Sequence, residues 1–440
     1  MLNLLNLNLL NIATFLWLAF WAFRAFKCLA AGSRYSILFV ILIHFVFSGV
    51  PLLLDVIFGK PEYSLFPGFY LASRDNTTSI IYCLYVSAVP IIWWLTGRGK
   101  RLIDDNSLDN TINTAAFVQR MKPAIQLILF IFMLSPLFAW MYSPEPEVYF
   151  RYGAAVNDLF RFEAATKYHG DFMSLACFLS LLGVTGFLAL QERIDILLIA
   201  FLLPWIILVF WLNSKRGIVA FAIILIGYVF WQKGYLKGVR FVWAIILAVA
   251  IILSFSYFYQ LQVRDISAES TDPVEFYDGI RIDYGRDAEI KMAIFAELYP
   301  EKMQILEYRG QSIVFNLTMV VPRAIWSEKP MAYAQYVTTT ALMLPPTREM
   351  DWFVTTSWLE EAIANFSWVG MILGPILLSI ICRLGDARKN VIVNSLTVLI
   401  GCLFLTVQLS AFWPLFYFWL LGVILLHPEK RKKHDILRNH

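Results

Sequence analysis

The sequence predicts an all-α polytopic membrane protein that crosses the bilayer about eleven times. Only 15% of its 440 residues are charged and 59% are hydrophobic, whereas a soluble protein averages about 25% charged residues. Stretches of 15 or more residues without Lys, Arg, Asp or Glu recur along the chain. An apolar stretch of about 20 residues is long enough to span the membrane as a helix. The composition therefore excludes a soluble globular enzyme.

The first apolar stretch is predicted to be a transmembrane helix rather than a cleavable signal peptide. A signal peptide starts with a basic segment, but the first 23 residues contain no Lys or Arg. The predicted spans are residues 4–23, 35–57, 79–96, 123–142, 171–190, 196–212, 217–232, 241–260, 364–382, 391–411 and 413–427. The seventh and eleventh are short, so the count stays open between ten and twelve.

Loop charges predict the orientation, because cationic loops are retained in the cytoplasm. One set of alternate loops, together with the C-terminal tail, contains 20 Lys and Arg residues, and the short loops of the other set contain seven. We therefore expect the C-terminus to lie inside the cell. With eleven spans, the N-terminus lies outside.

This orientation divides the chain into four regions. They are residues 1–260 with helices one to eight and an outer loop at 143–170, a long outer loop at 261–362, the last three helices at 363–427, and a basic cytoplasmic tail at 428–440. Within the long loop, apolar residues recur at helical spacing from 287 to 308 and are interrupted at Pro300. We expect two short helices there, lying on the membrane surface.

Several classes of protein and site are disfavoured by the composition. The net charge is only +4, and no nucleic-acid-binding module is recognisable. Ion-coupled transporters carry ionisable groups within their spans, but here His44 is the only one near the middle of a span, while Asp55 and Asp171 lie at span ends. The few histidines and the unclustered cysteines lead us to expect no metal site, no disulfide and no cofactor.

The first polar cluster is Asn213-Ser214-Lys215-Arg216-Gly217, between two apolar spans on the predicted outer side. Two cations in a short outer turn oppose the usual distribution of positive charge. Lys215 and Arg216 could simply extend to the membrane interface. Alternatively, they could bind an anionic lipid head group, since a guanidinium matches phosphate oxygens two at a time.

The second cluster combines Arg309, in Tyr-Arg-Gly-Gln-Ser, with the segment 321–330. Trp326 and Lys329 are one helical turn apart and Arg323 follows a proline, so a cation and an aromatic ring can share one surface. The alternative is that these cations pair with carboxylates of the acidic loop, such as Glu328.

The third cluster, residues 355–366, runs into the ninth predicted span. Glu361 and Asn365 are four residues apart and share a helix face. A carboxylate there could act as a general base or orient a sugar hydroxyl, or it could cap the helix. His169, at the start of the fifth span, is a second possible base, and a solvated interfacial histidine is the alternative.

In this order, the three clusters resemble motifs of the bacterial O-antigen polymerases of the Wzy type. Ser-Lys-Arg-Gly at 214–217 is similar to the family's small-polar-arginine motif. The long outer loop carries Gly-Gln-Ser at 310–312 and then Val-Pro-Arg-Ala-Ile-Trp-Ser-Glu-Lys-Pro at 321–330, close to the family's proline-arginine, tryptophan and lysine-proline string. Ser-Trp-Leu-Glu-Glu-Ala-Ile-Ala-Asn-Phe at 357–366 is like its glycine-glutamate and asparagine-phenylalanine motif. The sequence departs from the pattern at Glu360 and Ser367, where the family usually has glycine.

The resemblance implies a metal-independent, GT-C-like glycosyltransferase in the bacterial inner membrane, with its long loop in the periplasm. The donor would be a glycan on undecaprenyl pyrophosphate, and the acceptor the non-reducing sugar of another lipid-linked repeat unit. Cations would stabilise the pyrophosphate leaving group. The residues expected to bind substrate are Arg216 and Arg323, with Lys215, Arg309, Lys329, Trp326 and Asn365 in support. Glu361 is the first candidate for base or acceptor orientation, and His169 is the second.

Three alternatives stay open. A ligase of the same superfamily would deliver the glycan to a lipid A core, but it usually has a histidine in the long outer loop, and residues 261–362 contain none. A flippase or exporter would line a central cavity with charge. A purely structural membrane protein would leave the outer cations without a use. The sequence also leaves open whether a polysaccharide chain-length regulator is a partner alongside membrane lipid.

Overall fold

A computed structural model describes residues 2–98, 112–153, 164–263, 273–347, 352–388 and 390–425. Within these ranges the chain is all-helical and contains no strand. Parts of the two predicted outer loops and the basic tail at 428–440 lie outside the described residues. The same holds for some side chains within helices, that of Arg216 among them.

The α-helices of the described ranges are numbered in chain order. They are α1 Leu2–Ala30, α2 Ser36–His44, α3 Val50–Ile57, α4 Pro67–Arg74, α5 Asn76–Thr96, α6 Ile112–Met141, α7 Ala164–Leu190, α8 Ile196–Asn213, α9 Arg216–Gln232, α10 Val239–Val263, α11 Pro273–Tyr284, α12 Asp287–Leu298, α13 Gln311–Leu317, α14 Tyr333–Ala341, α15 Trp358–Phe366, α16 Gly370–Asp386, α17 Val391–Leu403 and α18 Leu409–Leu425. A π-helical turn, Phe45–Gly49, joins α2 to α3, and 3-10 turns occur at Pro146–Phe150 and Ser367–Val369.

Apolar helices confirm a polytopic membrane protein. Seven segments of the described ranges are long and apolar enough to cross a membrane, namely Asn6–Ala30, Ser36–Ile57, Asn76–Thr96, Pro123–Met141, His169–Leu190, Ile196–Asn213 and Trp358–Asp386. They coincide with predicted spans one to six and nine. The other four predicted spans correspond to the shorter apolar helices Gly217–Gln232, Val239–Phe255, Val391–Leu403 and Leu409–Leu425. Eleven crossings stay a prediction.

Side-chain acceptors explain where several helices begin. The carboxylates of Asp75 and Asp195 accept from first-turn amides of α5 and α8 at 2.7 and 2.8 Å. The start of α2 is capped from a distant part of the chain, since Asp386 accepts from the amide of Ser36 at 2.9 Å. The first amides of a helix have no partner within it, so each such cap stabilises its helix by about 1 kcal/mol.

The helices pack into two compact units. The first consists of Met1–Ala25, Tyr35–Leu102 and Ile280–His440, and the second of Phe26–Arg34 and Ile103–Gly279. In the first unit, α12 packs against α4, α5 and α15, and α16 packs against α5 and α17. In the second unit, α7 packs against α6, α8 and α9.

The structure corrects the prediction of two surface helices between residues 287 and 308. Only one helix forms there, α12, and its residues 287–296 are all buried. The chain from 299 to 310 forms turns. Spacing alone predicted the helix but not its burial, because the charges of Asp287 and Lys291 are compensated inside the protein rather than by water.

The ninth span also differs from its predicted form. A turn at Ser367, with φ 58° and ψ −147°, separates α15 from α16. The indole nitrogen of Trp358 donates to the carbonyl of Gly374 at 3.0 Å, although 16 residues of continuous helix would separate them by about 24 Å. The two helices therefore form a hairpin, so the segment Trp358–Asp386 is not one continuous span but two helices of 9 and 17 residues.

We expect Gly370→Ala to destabilise this hairpin strongly. A Cβ at residue 370 would lie 2.0 Å from the carbonyl oxygen of Ala362, and overpacking against backbone costs up to about 3 kcal/mol. The control is Gly227→Ala in α9, where a Cβ meets nothing within 4 Å and alanine favours the helix by about 1 kcal/mol. Thermal unfolding of both purified variants in detergent would contradict the hairpin if their Tm values were equal.

Candidate functional site

Glu361 and Asn365 lie on one face of α15, as predicted, and there they meet α13. Ser312 Oγ donates to Glu361 Oε1 at 2.8 Å and accepts from Asn365 Nδ2 at 2.7 Å. Asn316 Nδ2 donates to the same carboxylate oxygen at 3.0 Å. Within the described part of the chain, no cation contacts Glu361, so neutral donors hold its carboxylate in place.

Arg309 lies beside this cluster and is paired with Glu297, a residue that sequence reasoning did not single out. Both terminal guanidinium nitrogens donate to the carboxylate, with Nη2 and Oε2 2.9 Å apart. Nη1 also donates to the carbonyl of Ala364 on α15 at 2.8 Å, and Ser367 Oγ donates to Glu297 Oε2 at 2.6 Å. The Arg309 side chain is 56% exposed and that of Glu297 is 7% exposed. The pair therefore ties α12, the Arg309 turn and α15 together.

A cavity of about 250 Å³ opens beside this ion pair. Its polar lining residues are Glu297, Gln304, Glu307, Tyr308 and Arg309, and its apolar lining includes Met303, Ile305, Leu306 and Ala364. The rim is built by the turns from residue 299 to 310. These turns end at Gly310, whose φ of 82° favours glycine.

Arg323 and Lys329, predicted to bind phosphate, are engaged by their own loop. Arg323 donates to the carbonyls of Lys329 and Pro330 at 2.7 and 2.9 Å. Lys329 is 4% exposed as a residue. Its ammonium donates to two loop carbonyls at 2.9 and 3.0 Å and lies 5.1 Å from the ring centre of Phe315. Trp326 is half-buried in the same loop. The cation and the aromatic ring that lie in contact are thus Lys329 and Phe315. The alternative that these cations pair with Glu328 is not seen among the described residues.

The first polar cluster lies in the second unit. Ser214 adopts φ 54° at the end of α8, and its hydroxyl donates to the carbonyl of Trp211 at 2.7 Å. Lys215 is exposed, with its ammonium 3.4 Å from Ser174 Oγ. Arg216 is the first residue of α9, and its side chain lies outside the described residues.

His169 is buried rather than solvated, so the interpretation of His169 as a solvated interfacial histidine is wrong. It is 9% exposed. Its Nε2 lies 2.8 Å from the carbonyl of Ala139, so Nε2 carries the proton, and Nδ1 accepts from the hydroxyl of Tyr149 at 2.8 Å. Both nitrogens are engaged by neighbours. The structure thus shows a histidine that joins α6 and α7 to the turn at Tyr149.

The predicted site residues are divided between the units. Glu361, Asn365, Arg309, Arg323, Lys329 and Trp326 belong to the first unit, and His169, Lys215 and Arg216 belong to the second. Of these, the structure brings Arg309, Glu361 and Asn365 into one cluster. Ser312, which joins Glu361 and Asn365, was already part of the Gly-Gln-Ser string, while Arg309 is joined to α15 through the carbonyl of Ala364.

A buried ionic network in the first unit also escaped sequence reasoning. Arg281 donates to Asp55 and, at 2.7 Å, to Asp287. Lys291 is 2.8 Å from Asp287 and 3.5 Å from Asp55. No side chain of the four is more than 3% exposed. Burial by itself would raise the pKa of Asp287, but Arg281 and Lys291 outweigh it and hold that pKa below its usual range.

Glu289 lies on the same helix as this network, but within the described residues no cation pairs directly with its carboxyl group. It is 1% exposed, and neither carboxyl oxygen has a hydrogen-bond partner among the described residues. Burial raises the pKa of Glu289 to about 8, with Arg286 opposing the rise and Glu360 adding to it. Glu289 is therefore largely protonated at neutral pH.

No protein-family profile, no curated protein and no solved structure matches this chain. The resemblance to O-antigen polymerases therefore rests on the motifs of the sequence.

We expect Ser367→Gly to be more stable than Ser367→Ala. Both variants lose the hydrogen bond to Glu297, but only alanine keeps a Cβ at φ 58° and ψ −147°, which costs about 1–3 kcal/mol. Thermal unfolding in detergent compares them. At Ser395, inside α17, the order should be reversed because glycine weakens a helix by about 1 kcal/mol relative to alanine. The same order at both positions would contradict backbone strain at Ser367.

We expect Glu289→Gln to stabilise the protein at pH 8 but not at pH 5. The carboxyl ionises near its usual 4.5 in the unfolded chain and at about 8 in the folded one. Between these values the unfolded state binds fewer protons, so wild-type stability falls as the pH rises. Glutamine cannot ionise and escapes this loss. Tm measured against pH for both proteins tests the prediction, and a difference that does not change with pH would contradict it.

Proposed function

We propose that the protein is a membrane glycosyltransferase that polymerises undecaprenyl-pyrophosphate-linked oligosaccharide repeat units at the periplasmic face of the bacterial inner membrane. The observation that supports this best is the cluster of Arg309, Glu361 and Asn365 beside a cavity. Two motifs that are some fifty residues apart meet through Ser312, and both motifs are among those that resemble the polymerase family.

The reaction needs three functions from the protein. The acceptor hydroxyl attacks the anomeric carbon of the donor, the bond to the pyrophosphate oxygen breaks, and the hydroxyl proton leaves to a base. The departing pyrophosphate gains negative charge, which fixed cations stabilise. The acceptor sugar must also be held in line with the donor, since orientation lowers the barrier substantially.

The geometry favours an orienting role for Glu361. Its side chain is buried, and it binds Ser312 and Asn316 of α13. Asn365, on the same face, completes the link through Ser312. Glu361 therefore acts by placing α13 and the Arg309 turn beside the cavity, which makes it a positioning residue for the acceptor.

The cations divide between structure and phosphate binding. Arg323 and Lys329 donate to loop carbonyls, so they shape the loop. Lys215 is exposed, and with Arg216 it keeps the phosphate-binding role that the resemblance implies. Arg216 is the first of these residues to test.

Polymerisation in vitro tests the proposal. Purified protein in nanodiscs is given undecaprenyl-pyrophosphate-linked repeat units in the presence of EDTA, and products are resolved on a gel. We expect a ladder with the wild type. Arg216→Ala should reduce the rate by about 10²–10³-fold, the loss typical of removing one preorganised donor that stabilises developing negative charge. Glu361→Gln should reduce the rate while the protein stays folded, and it should raise KM for the acceptor.

The control is Arg74→Ala. Arg74 forms an exposed ion pair with Glu62, with side chains 42% and 55% exposed, and such pairs contribute little. Its ladder should match the wild type. Transfer to a lipid A core without a ladder would assign the protein to the ligases, and movement of the lipid across a vesicle without any new glycosidic bond would assign it to the flippases. A normal ladder from Arg216→Ala would refute the phosphate-binding role.

A further inference from the structure

The cavity beside Arg309 has a size suited to one sugar ring. Its volume is about 250 Å³, below the roughly 300 Å³ at which pockets for larger, drug-sized ligands begin. Buried apolar side chains, including Met303, Ile305 and Leu306, form part of its wall, while Gln304, Glu307 and Tyr308 are exposed around it. A ligand can therefore enter from the solvent side.

The charge of the cavity disfavours a phosphate. Two carboxylates, Glu297 and Glu307, line it together with one cation, Arg309. The guanidinium is bound to both oxygens of Glu297, so its charge is already balanced. Gln311 donates to Glu307 at 2.8 Å but does not neutralise it. A pyrophosphate would thus meet net negative charge, whereas an uncharged ligand would not.

The remaining groups match the surface of a sugar. The Tyr308 side chain is half exposed and packs on no other ring among the described residues. Gln304 uses its amide nitrogen for the carbonyls of Leu306 and Glu307, which leaves Oε1 as an acceptor. Glu307 Oε1 has no donor within the described part of the chain. Sugar hydroxyls donate to such acceptors, and the C–H face of a sugar ring packs on an aromatic ring.

We propose that this cavity binds one uncharged sugar ring of the glycan, packed on Tyr308 and hydrogen-bonded to Gln304 and Glu307. The inference rests on the proposed function for the identity of the glycan. It assigns Arg309 to position Glu297 and the rim of the cavity rather than to bind pyrophosphate. In this proposal the turns from 299 to 310 recognise the sugar. Stabilisation of the leaving group stays with the phosphate-binding residues Lys215 and Arg216.

Binding of a phosphate-free probe tests this inference. The repeat-unit oligosaccharide, released from its lipid carrier by mild acid, is titrated into protein in nanodiscs and followed by saturation-transfer NMR. We expect binding by the wild type. Tyr308→Ala and Gln304→Ala should each weaken it about tenfold, while Tyr308→Phe, which keeps the ring, should stay within about threefold. Tyr142→Ala removes a tyrosine that is 81% exposed and outside the cavity, and it should bind like the wild type.

Two further measurements distinguish the possible outcomes. Inorganic pyrophosphate should not displace the oligosaccharide, and displacement would show that the cavity is an anion site and overturn the inference. In the polymerisation assay, Tyr308→Ala should raise KM with little change in kcat, because it removes binding that is equal in ground and transition state. If both alanine variants kept wild-type affinity and wild-type KM, the sugar site would be refuted. A normal ladder in the same experiment would still support the polymerase proposal. Cavity-dependent binding without any ladder would instead refute the polymerase alone.

Discussion

The position of α12 depends on a buried network of four charges, and the candidate site depends on α12. Asp55 at the end of α3 and Arg281 on α11 are bound to Asp287 and Lys291 on α12. Removing one partner of such a network leaves an uncompensated charge in the interior, at a cost of about 3–5 kcal/mol. With its first turn anchored in this way, α12 packs against α4, α5 and α15 and presents Glu297 at its other end.

Glu297 transmits this position to the cavity. It binds Arg309 through two hydrogen bonds and Ser367 through a third, so the rim of the cavity, the hairpin of α15 and α16, and the core helix meet at one carboxylate. A single rigid contact point suits a site that must hold a ligand in one orientation. The same pairing leaves the Arg309 guanidinium with little excess charge, because the Glu297 carboxylate already balances it.

Ser367 adopts a backbone conformation that a residue with a side chain disfavours. Residue 367 has the positive φ of a glycine-favouring position, and it is one of the two positions where the sequence departs from the polymerase pattern. Its hydroxyl donates to Glu297 at 2.6 Å, which offsets part of the strain. Glu360 is the other position that departs from the polymerase pattern. Its carboxylate accepts from the backbone amide and the hydroxyl of Ser357 in a capping box at the start of α15, so this position needs no unusual backbone conformation.

Sequence alone determined the parts of the fold that depend on local composition. Long uncharged apolar stretches must form helices in a membrane because hydrocarbon offers no partner for backbone groups, and each predicted span corresponds to an apolar helix. The shared face of Glu361 and Asn365 likewise followed from helical spacing. Tertiary structure decided the rest. Three features depend on contacts between residues that are distant in sequence: the burial of α12, the fold-back at Ser367 and the pairing of Arg309 with Glu297. No local sequence pattern encodes which distant residue will compensate a buried charge.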